Sequence, residues 1–247
     1  MSAPMNADFT VDRQKTQKIT NPADLSALSM ALEWKRRVGG EVICVTMGPA
    51  SAADCLREAA MAGADALYHI CDPGIAGADT LVTAKILAAA VRKLEPVDLV
   101  FCGRHTVDGE TGQVGPEIAA ILGCGCLSEV TGVQEIGEEA LCCSCQTGSS
   151  TELYRLRRPA VLCVCECRTP AVLPSLSAMR RANRMPVQRI SLADLKLAEV
   201  SGRRSSPTKV VAVRRKEHKR RQTMWLTADA AETVAAILRQ EMEKQNG

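Results

Sequence analysis

Val97-Asp-Leu-Val-Phe-Cys102-Gly103-Arg104-His-Thr-Val-Asp108-Gly109-Glu-Thr111-Gly112-Gln113-Val114-Gly115-Pro116-Glu117-Ile118 decides how the chain reads. Val97 to Cys102 is a short apolar run rich in β-favouring residues, which reads as a buried, parallel strand. Gly103 ends it. The next stretch is polar and carries Gly109, Gly112 and Gly115. Pro116 and Glu117 then open an apolar-periodic run from Ile118 to Leu122, which reads as a helix with proline and an acid in its first turn. The order is strand, glycine-rich loop, helix start. Free N–H groups and the helix dipole at such a start suit a phosphate or diphosphate. Glycines let the backbone approach it closely. Neither G-x-G-x-x-G nor G-x-x-x-x-G-K-[ST] is present, so the standard nucleotide fingerprints do not apply. An ordinary strand-to-helix loop with glycines for its turns remains the alternative.

Upstream, β-like and α-like runs alternate. Asn21-Pro22 caps a helix from about Ala23 to Arg37, with Leu25, Leu28 and Leu32 at helical spacing and Gly39-Gly40 as its stop. Glu41 to Thr46 reads as a strand, and Ser51 as the cap of a helix reaching Met61. Ala66 to Ile70 is a further strand, and Asp79 to Lys93 a helix with Thr80 and Thr83 near its start. This alternation predicts an α/β fold, a parallel sheet with helices on both faces. Ligands of such sheets sit at the carboxyl ends of the strands. Met47-Gly48, Gly103-Arg104 and the 108–115 loop all fall at such ends. After Gly123 the pattern becomes strands joined by Gly or Ser turns: 127–134, 141–146, 152–156 and 160–167. Arg155, Arg157 and Arg158 form a basic patch there, read as a solvated strand end.

Composition sets the bounds. The 247 residues, 46% of them hydrophobic, suit one sizeable domain with an appendage. No apolar run approaches the ~18 residues of a membrane span. No basic stretch followed by an apolar one marks the N-terminus as an export signal. A net charge of +3 and 2% aromatics argue against nucleic acid. With no export signal, the 12 cysteines read as reduced thiols in a cytosol, small hydrophobes rather than disulfides. Cys163, Cys165 and Cys167 alternate on one strand face. Cys142 and Cys145 would face opposite ways. The paired, loop-borne Cys-x-x-Cys of a zinc or iron–sulfur site is missing, so no metal is expected. No Ser-His-Asp order and no carboxylate pair points to hydrolytic or acid–base chemistry.

The 98–117 run resembles the nucleotide loop of the beta (small) subunit of electron-transfer flavoproteins, closest to the FixA-like branch. Asn21-Pro-Ala-Asp24, Met61-Ala-Gly-Ala-Asp65, Asp79-Thr-Leu-Val-Thr-Ala-Lys-Ile-Leu and Pro174-Ser-Leu-Ser-Ala-Met-Arg-Arg-Ala follow in the family's order. Arg158-Pro-Ala-Val begins the strand before the last of these, and the similarity spans about residues 8–200. The resemblance implies a Rossmann-like adenine-nucleotide-binding domain over 1–200 with a β-hairpin extension. It also implies that residues 201–222, a basic linker, and an amphipathic helix from about Ala228 to Lys244 form a partner-facing arm. In the family a first strand precedes the segment resembling Asn6 to Asp12. Here the reading begins where that strand would end: either the start codon is placed late or one strand is lacking, and an exposed strand edge is expected beside it.

By the same resemblance, the chemistry belongs to a flavin and the protein binds and tunes it. The large (alpha) subunit carries the electron-transferring FAD. This subunit holds AMP in the plain carriers and a second FAD in the bifurcating ones. The implied contacts are Asn21, Met47, Gly48, Asp79, Thr80, Thr83, Cys102, Gly103, Arg104, Asp108, Thr111, Gly112, Gln113, Val114 and Gly115. Thr80, Thr83 and the 111–115 backbone would hold the diphosphate, and Arg104 would face the flavin. The family's docking loop for acyl-CoA-type dehydrogenases falls at Arg168 and Leu173, where this chain departs from the usual apolar anchor. The implied function is the small subunit of an electron carrier between such a donor, or NADH, and an acceptor. It is an oxidoreductase in its own right only if a second FAD bifurcates electrons. The alternative is a structural AMP-binding subunit. An adenylating enzyme would need a Ser-Gly-Gly-x-Asp-Ser loop, which is absent.

Overall fold

The computed structural model describes residues 19–107, 109–136, 140–166, 174–211, 234–236 and 239. Contacts divide the chain into a unit ending at Val210 and a second running from Val211 to Gly247. Of the second, residues 234–236 and 239 are helical. Most of the expected C-terminal helix, the docking residues Arg168 and Leu173, and Asp108 lie outside the described residues.

In the first unit the elements run α1 (Pro22–Val38), β1 (Ile43–Met47), α2 (Ala53–Ala62), β2 (Ala66–Ile70), α3 (Thr80–Lys93), β3 (Leu99–Gly103) and α4 (Val114–Leu122). Then come β4 (Gly125–Ile136), β5 (Ala140–Thr147), β6 (Ser150–Arg157), β7 (Ala160–Val164), α5 (Leu176–Arg184), β8 (Val187–Ile190) and α6 (Gly202–Ser205). The α/β alternation and the later run of strands are as the sequence predicts. β8 and α6 have no counterpart in the sequence reading.

One local expectation needs correction. Ser51 does not cap α2: residues Ala50–Ala52 form a 3-10 turn, and α2 starts after Ala52 without a side-chain cap. Of the three cysteines expected on one strand face, Cys163 lies in β7, which stops at Val164, and the Cys165 thiol just beyond it donates to Glu129 at 3.0 Å; Cys167 lies outside the described residues.

The strands form two sheets, not one. β1, β2 and β8 make a three-stranded parallel sheet with β2 central. The other has the order β3-β7-β4-β5-β6. Its β3, β7 and β4 are parallel, and β4-β5-β6 continue as an antiparallel meander. β7 is the buried heart, every residue inaccessible. Among the described residues, β1 and β3 each have a strand neighbour on one side only.

Two helices on opposite faces tie the sheets together. On α1, Ala27, Met30 and Trp34 pack on Leu162 and Val164 of the larger sheet, while Leu28 joins the cluster around Leu67 and Cys44 of the smaller. On α3, Ala84 and Ala88 meet Val161 and Cys163, while Val82, Ile86 and Ala90 meet Ile70 and Ile190. One helix therefore carries two apolar stripes, which is why α3 is almost all Ala, Val, Leu and Ile between Leu81 and Val91. Small residues at these contacts allow close approach of helix and sheet.

Candidate functional site

The glycine loop leaves β3 and is clamped at once by the start of α1. The Gly103 N–H donates to the Asp24 carboxylate at 2.6 Å, and a Cβ at Gly103 would fall 2.8 Å from the Asp24 nitrogen. Only glycine permits that contact. The Asn21 amide donates to the His105 carbonyl and to Asp24, each at 2.9 Å. Asn21 occupies the cap position of α1 without a side-chain cap bond. Its side chain is used to hold the loop.

The far end of the loop rests on sulfur. A Cβ at Gly115 would lie 2.3 Å from Cys163 Sγ and 3.0 Å from Cys102 Sγ, so the first turn of α4 sits directly on the β3 and β7 thiols. The loop turns at Glu110 and Gly112, both in the left-handed region at φ 48° and 63°. Gly112 approaches Arg104, whose carbonyl oxygen is 3.4 Å from a Cβ built there. Gln113 precedes α4 at its N-cap position, and Val114 begins the helix. Thr111 is exposed beside them.

The start of α3 closes on the same place. The Thr80 hydroxyl reaches Gln113 Oε1 at 3.1 Å and Glu117 Oε1 at 3.2 Å. Thr83 lies half-buried one turn further along. Two helix N-termini therefore meet at the mouth of the loop. Two buried polar atoms, His105 Nδ1 in the loop and Glu117 Oε2 in the first turn of α4, have no hydrogen-bond partner among the described residues. Such orphans are rare and mark a place for a ligand or water. Neither residue stands out in the sequence, although Glu117 sits in the first turn after the loop.

Asp79 caps α3 through Val82 N–H at 3.0 Å. Its other oxygen takes the Thr208 N–H at 3.0 Å and the Thr208 hydroxyl at 2.8 Å. Burial pushes this carboxyl up, but the Val82, Thr208 and Ser206 hydrogen bonds outweigh it and hold it below its ordinary range. Both oxygens are engaged by protein donors. Gly48 and Met47 end β1, and Gly48 bonds to β2: its N–H to Ile70 at 3.1 Å, its carbonyl to buried His69 at 3.1 Å.

Arg104 continues the β3–β7 pairing, its N–H donating to Val164 at 2.8 Å. Its guanidinium is ion-paired with Glu129. Glu129 sits in β4 where the register with β7 shifts between Leu127 and Val130, and it adopts φ 59°. A bulge of this kind re-aims a side chain. Sequence patterning gives no sign of it. An open cavity beside the pair is lined by Cys126, Leu127, Cys145 and Tyr154 among others.

The thiols of Cys102, Cys163 and Cys126 lie side by side on β3, β7 and β4, with Sγ–Sγ distances of 3.8 Å and 3.9 Å. Hydrogen bonding to Cys163, then burial, raises Cys102 and Cys126. The same contacts favour the thiolate at Cys163. Among the described residues, no group of three or more His, Cys, Asp or Glu is placed to hold a metal ion. No described helix is long and apolar enough to cross a membrane.

Residues 8–195 match the family described as the electron transfer flavoprotein domain. The chain is 36% identical over 212 residues to Protein FixA of Bradyrhizobium diazoefficiens, covering 83% of this chain and 74% of that protein. It is 37% identical over 207 residues to the electron transfer flavoprotein subunit beta of Thermoanaerobacterium thermosaccharolyticum, covering 82% and 78%. Against the caffeyl-CoA reductase-Etf complex subunit CarD of Acetobacterium woodii the identity is 36% over 204 residues, covering 81% and 77%.

Proposed function

From the membership of this chain in the electron transfer flavoprotein family, we propose that it is the nucleotide-binding small subunit of a two-subunit electron carrier. Its partner is a large, FAD-carrying alpha subunit, and the pair passes electrons from an acyl-CoA-type dehydrogenase or NADH to an acceptor. The observation that carries the site is the convergence of the α3 and α4 N-termini on the 103–115 loop, where Glu117 Oε2 is buried without a hydrogen-bond partner among the described residues.

The residues fit an adenine nucleotide. Backbone N–H groups from Thr111 to Gly115 and the Thr80 hydroxyl suit phosphate oxygens. Glu117 Oε2 and His105 Nδ1 suit the hydroxyl and amino groups of a nucleoside. A flavin held here would supply one- and two-electron transfer. Asn21, Asp24 and Gly103 fix the loop, and Cys102 and Cys163 support its far end. Asp79 organises the α3 start by capping it. The loop and helix ends thus bind and orient, and leave proton chemistry to no side chain of the site.

Within that reading, AMP is favoured over a second FAD by one observation: the Arg104 charge is already matched by Glu129. An arginine compensated in this way stabilises a reduced flavin anion less than a bare one does. The bifurcating subunit remains the competing version. Co-expression with the large subunit, followed by nucleotide quantitation, separates them. One FAD with one AMP per heterodimer is expected; two FAD and no AMP identify the bifurcating type. A heterodimer with no nucleotide in this subunit sinks the site.

A further inference from the structure

We propose that Cys102 and Cys163 form a reversible disulfide beneath the nucleotide loop, making the thiol cluster an oxidation site. The two residues are register partners on adjacent parallel strands, β3 and β7, and their sulfurs are 3.8 Å apart. Directly opposed residues on neighbouring strands have Cα atoms about 5 Å apart, inside the range a disulfide spans. Rotation about χ1 closes the remaining gap to a bond of about 2.05 Å.

Cys126 touches Cys163 as closely, at 3.9 Å, but it is paired with Val161, two residues out of register. Diagonal neighbours of that kind lie about 7–8 Å apart, beyond what a disulfide reaches without moving the backbone. Cys126 has a different use. It lines the open cavity beside Arg104 and touches Cys163, which is itself only 1% exposed, so a peroxide enters the cluster past Cys126. Its hydrogen bond favours the Cys163 thiolate, the reacting form of the thiol.

The oxidant is a peroxide. Cys163 Sγ attacks one oxygen, the O–O bond breaks, and a sulfenic acid forms while the other oxygen leaves as water. Cys102 Sγ then attacks the sulfenic sulfur, the S–O bond breaks, and a second water leaves. Two thiols and one hydrogen peroxide give one disulfide and two waters. Any dithiol reductant reverses it.

The consequence runs through Gly115. Its Cα rests on Cys163 Sγ so closely that a Cβ there would stand 2.3 Å from the sulfur. Drawing that sulfur toward Cys102 removes the surface on which the α4 N-terminus is seated. Oxidation therefore weakens nucleotide binding several-fold, a step that rests on the proposed site; the disulfide itself does not.

The test treats the full chain with hydrogen peroxide, blocks remaining thiols, and maps linked peptides by mass spectrometry. Cys102 is the single cysteine between Lys93 and Arg104, which makes its link easy to assign. A Cys102–Cys163 link that dithiothreitol removes is expected in the native chain and in Cys126→Ser. It is absent in Cys102→Ser and in Cys102→Ala. No link, or links that persist without Cys102, overturns the proposal. AMP titration of the oxidised and reduced chain reads the second step. A mapped link with unchanged AMP affinity keeps the oxidation site and removes its coupling to the loop. A chain that binds no AMP in either state removes the nucleotide reading and leaves the link standing.

Discussion

Glu129, held at φ 59° on the β4 bulge, forms an ion pair with Arg104 at the exit of β3. The pair is half-exposed, so its net worth to stability is small, on the order of 0.5 kcal/mol. Its larger effect is on charge. Glu129 cancels the cation nearest the loop, and a strained backbone is retained to do so.

Glu129→Gln removes that cancellation. AMP affinity is expected to rise about two- to fivefold at low ionic strength, and the gain to shrink as salt screens it. Calorimetric titration at two salt concentrations checks this. An unchanged affinity places Arg104 away from the bound anion. Arg104→Ala shifts affinity the other way, because it leaves the Glu129 carboxylate unopposed.

Gly115→Ala drives a methyl group into Cys163 Sγ. Overpacking of this kind costs about 1–3 kcal/mol. Pairing it with Cys163→Ala removes the closest contact, leaving Cys102 Sγ at 3.0 Å, so the double variant is less destabilised than the sum of the singles. Urea denaturation of the four chains measures the coupling; additive effects refute the contact.

Asp79 holds the 206–208 segment on α3, its N–H donating to the Ser206 hydroxyl and its carboxylate accepting from Thr208. Because its pKa in the folded chain is lowered, its stabilisation is complete above the ordinary 3.8 and is lost as pH falls through the lower folded value. Thr208→Val removes one hydroxyl donor and costs about 0.5 kcal/mol, since water reaches the pair. That cost fades on acidification, where both chains have lost the ionised carboxylate. Denaturation midpoints followed from pH 6 down through the lowered folded value show the two curves converging.

β7 is buried along its length between two strand neighbours, whereas β1 and β3 each have one among the described residues. Hydrogen exchange is expected to be slowest at Ala160–Val164 and faster on the open sides of Ile43–Met47 and Leu99–Gly103. Equal protection in all three strands shows that the open edges are covered in solution. Open edges also invite pairing between copies, so light scattering is expected to rise with concentration.

Local information determined the elements. The apolar runs at 66–70 and 99–103, the helical spacing of α1 and α3, and the glycine loop before α4 all depend on residues a few positions apart. Periodicity and turn chemistry report such spacing directly. The family motifs share that property, which is why the glycine-rich loop and the start of α3 could be read from the chain.

Tertiary structure alone decided what those elements meet. β8 is four residues, Val-Gln-Arg-Ile, too short and polar for a periodic signal, and becomes a strand only because β2 offers it an edge. Glu129 reaches Arg104 through a register shift, Thr208 returns to Asp79 from far along the chain, and three thiols meet because β3, β7 and β4 pair side by side, Cys102 directly opposite Cys163 and Cys126 diagonal to it. Such contacts join residues distant in sequence, set by sheet register and helix packing. The residue pattern along any one segment is the same whichever partner that segment finds, so only the folded chain fixes the pairings.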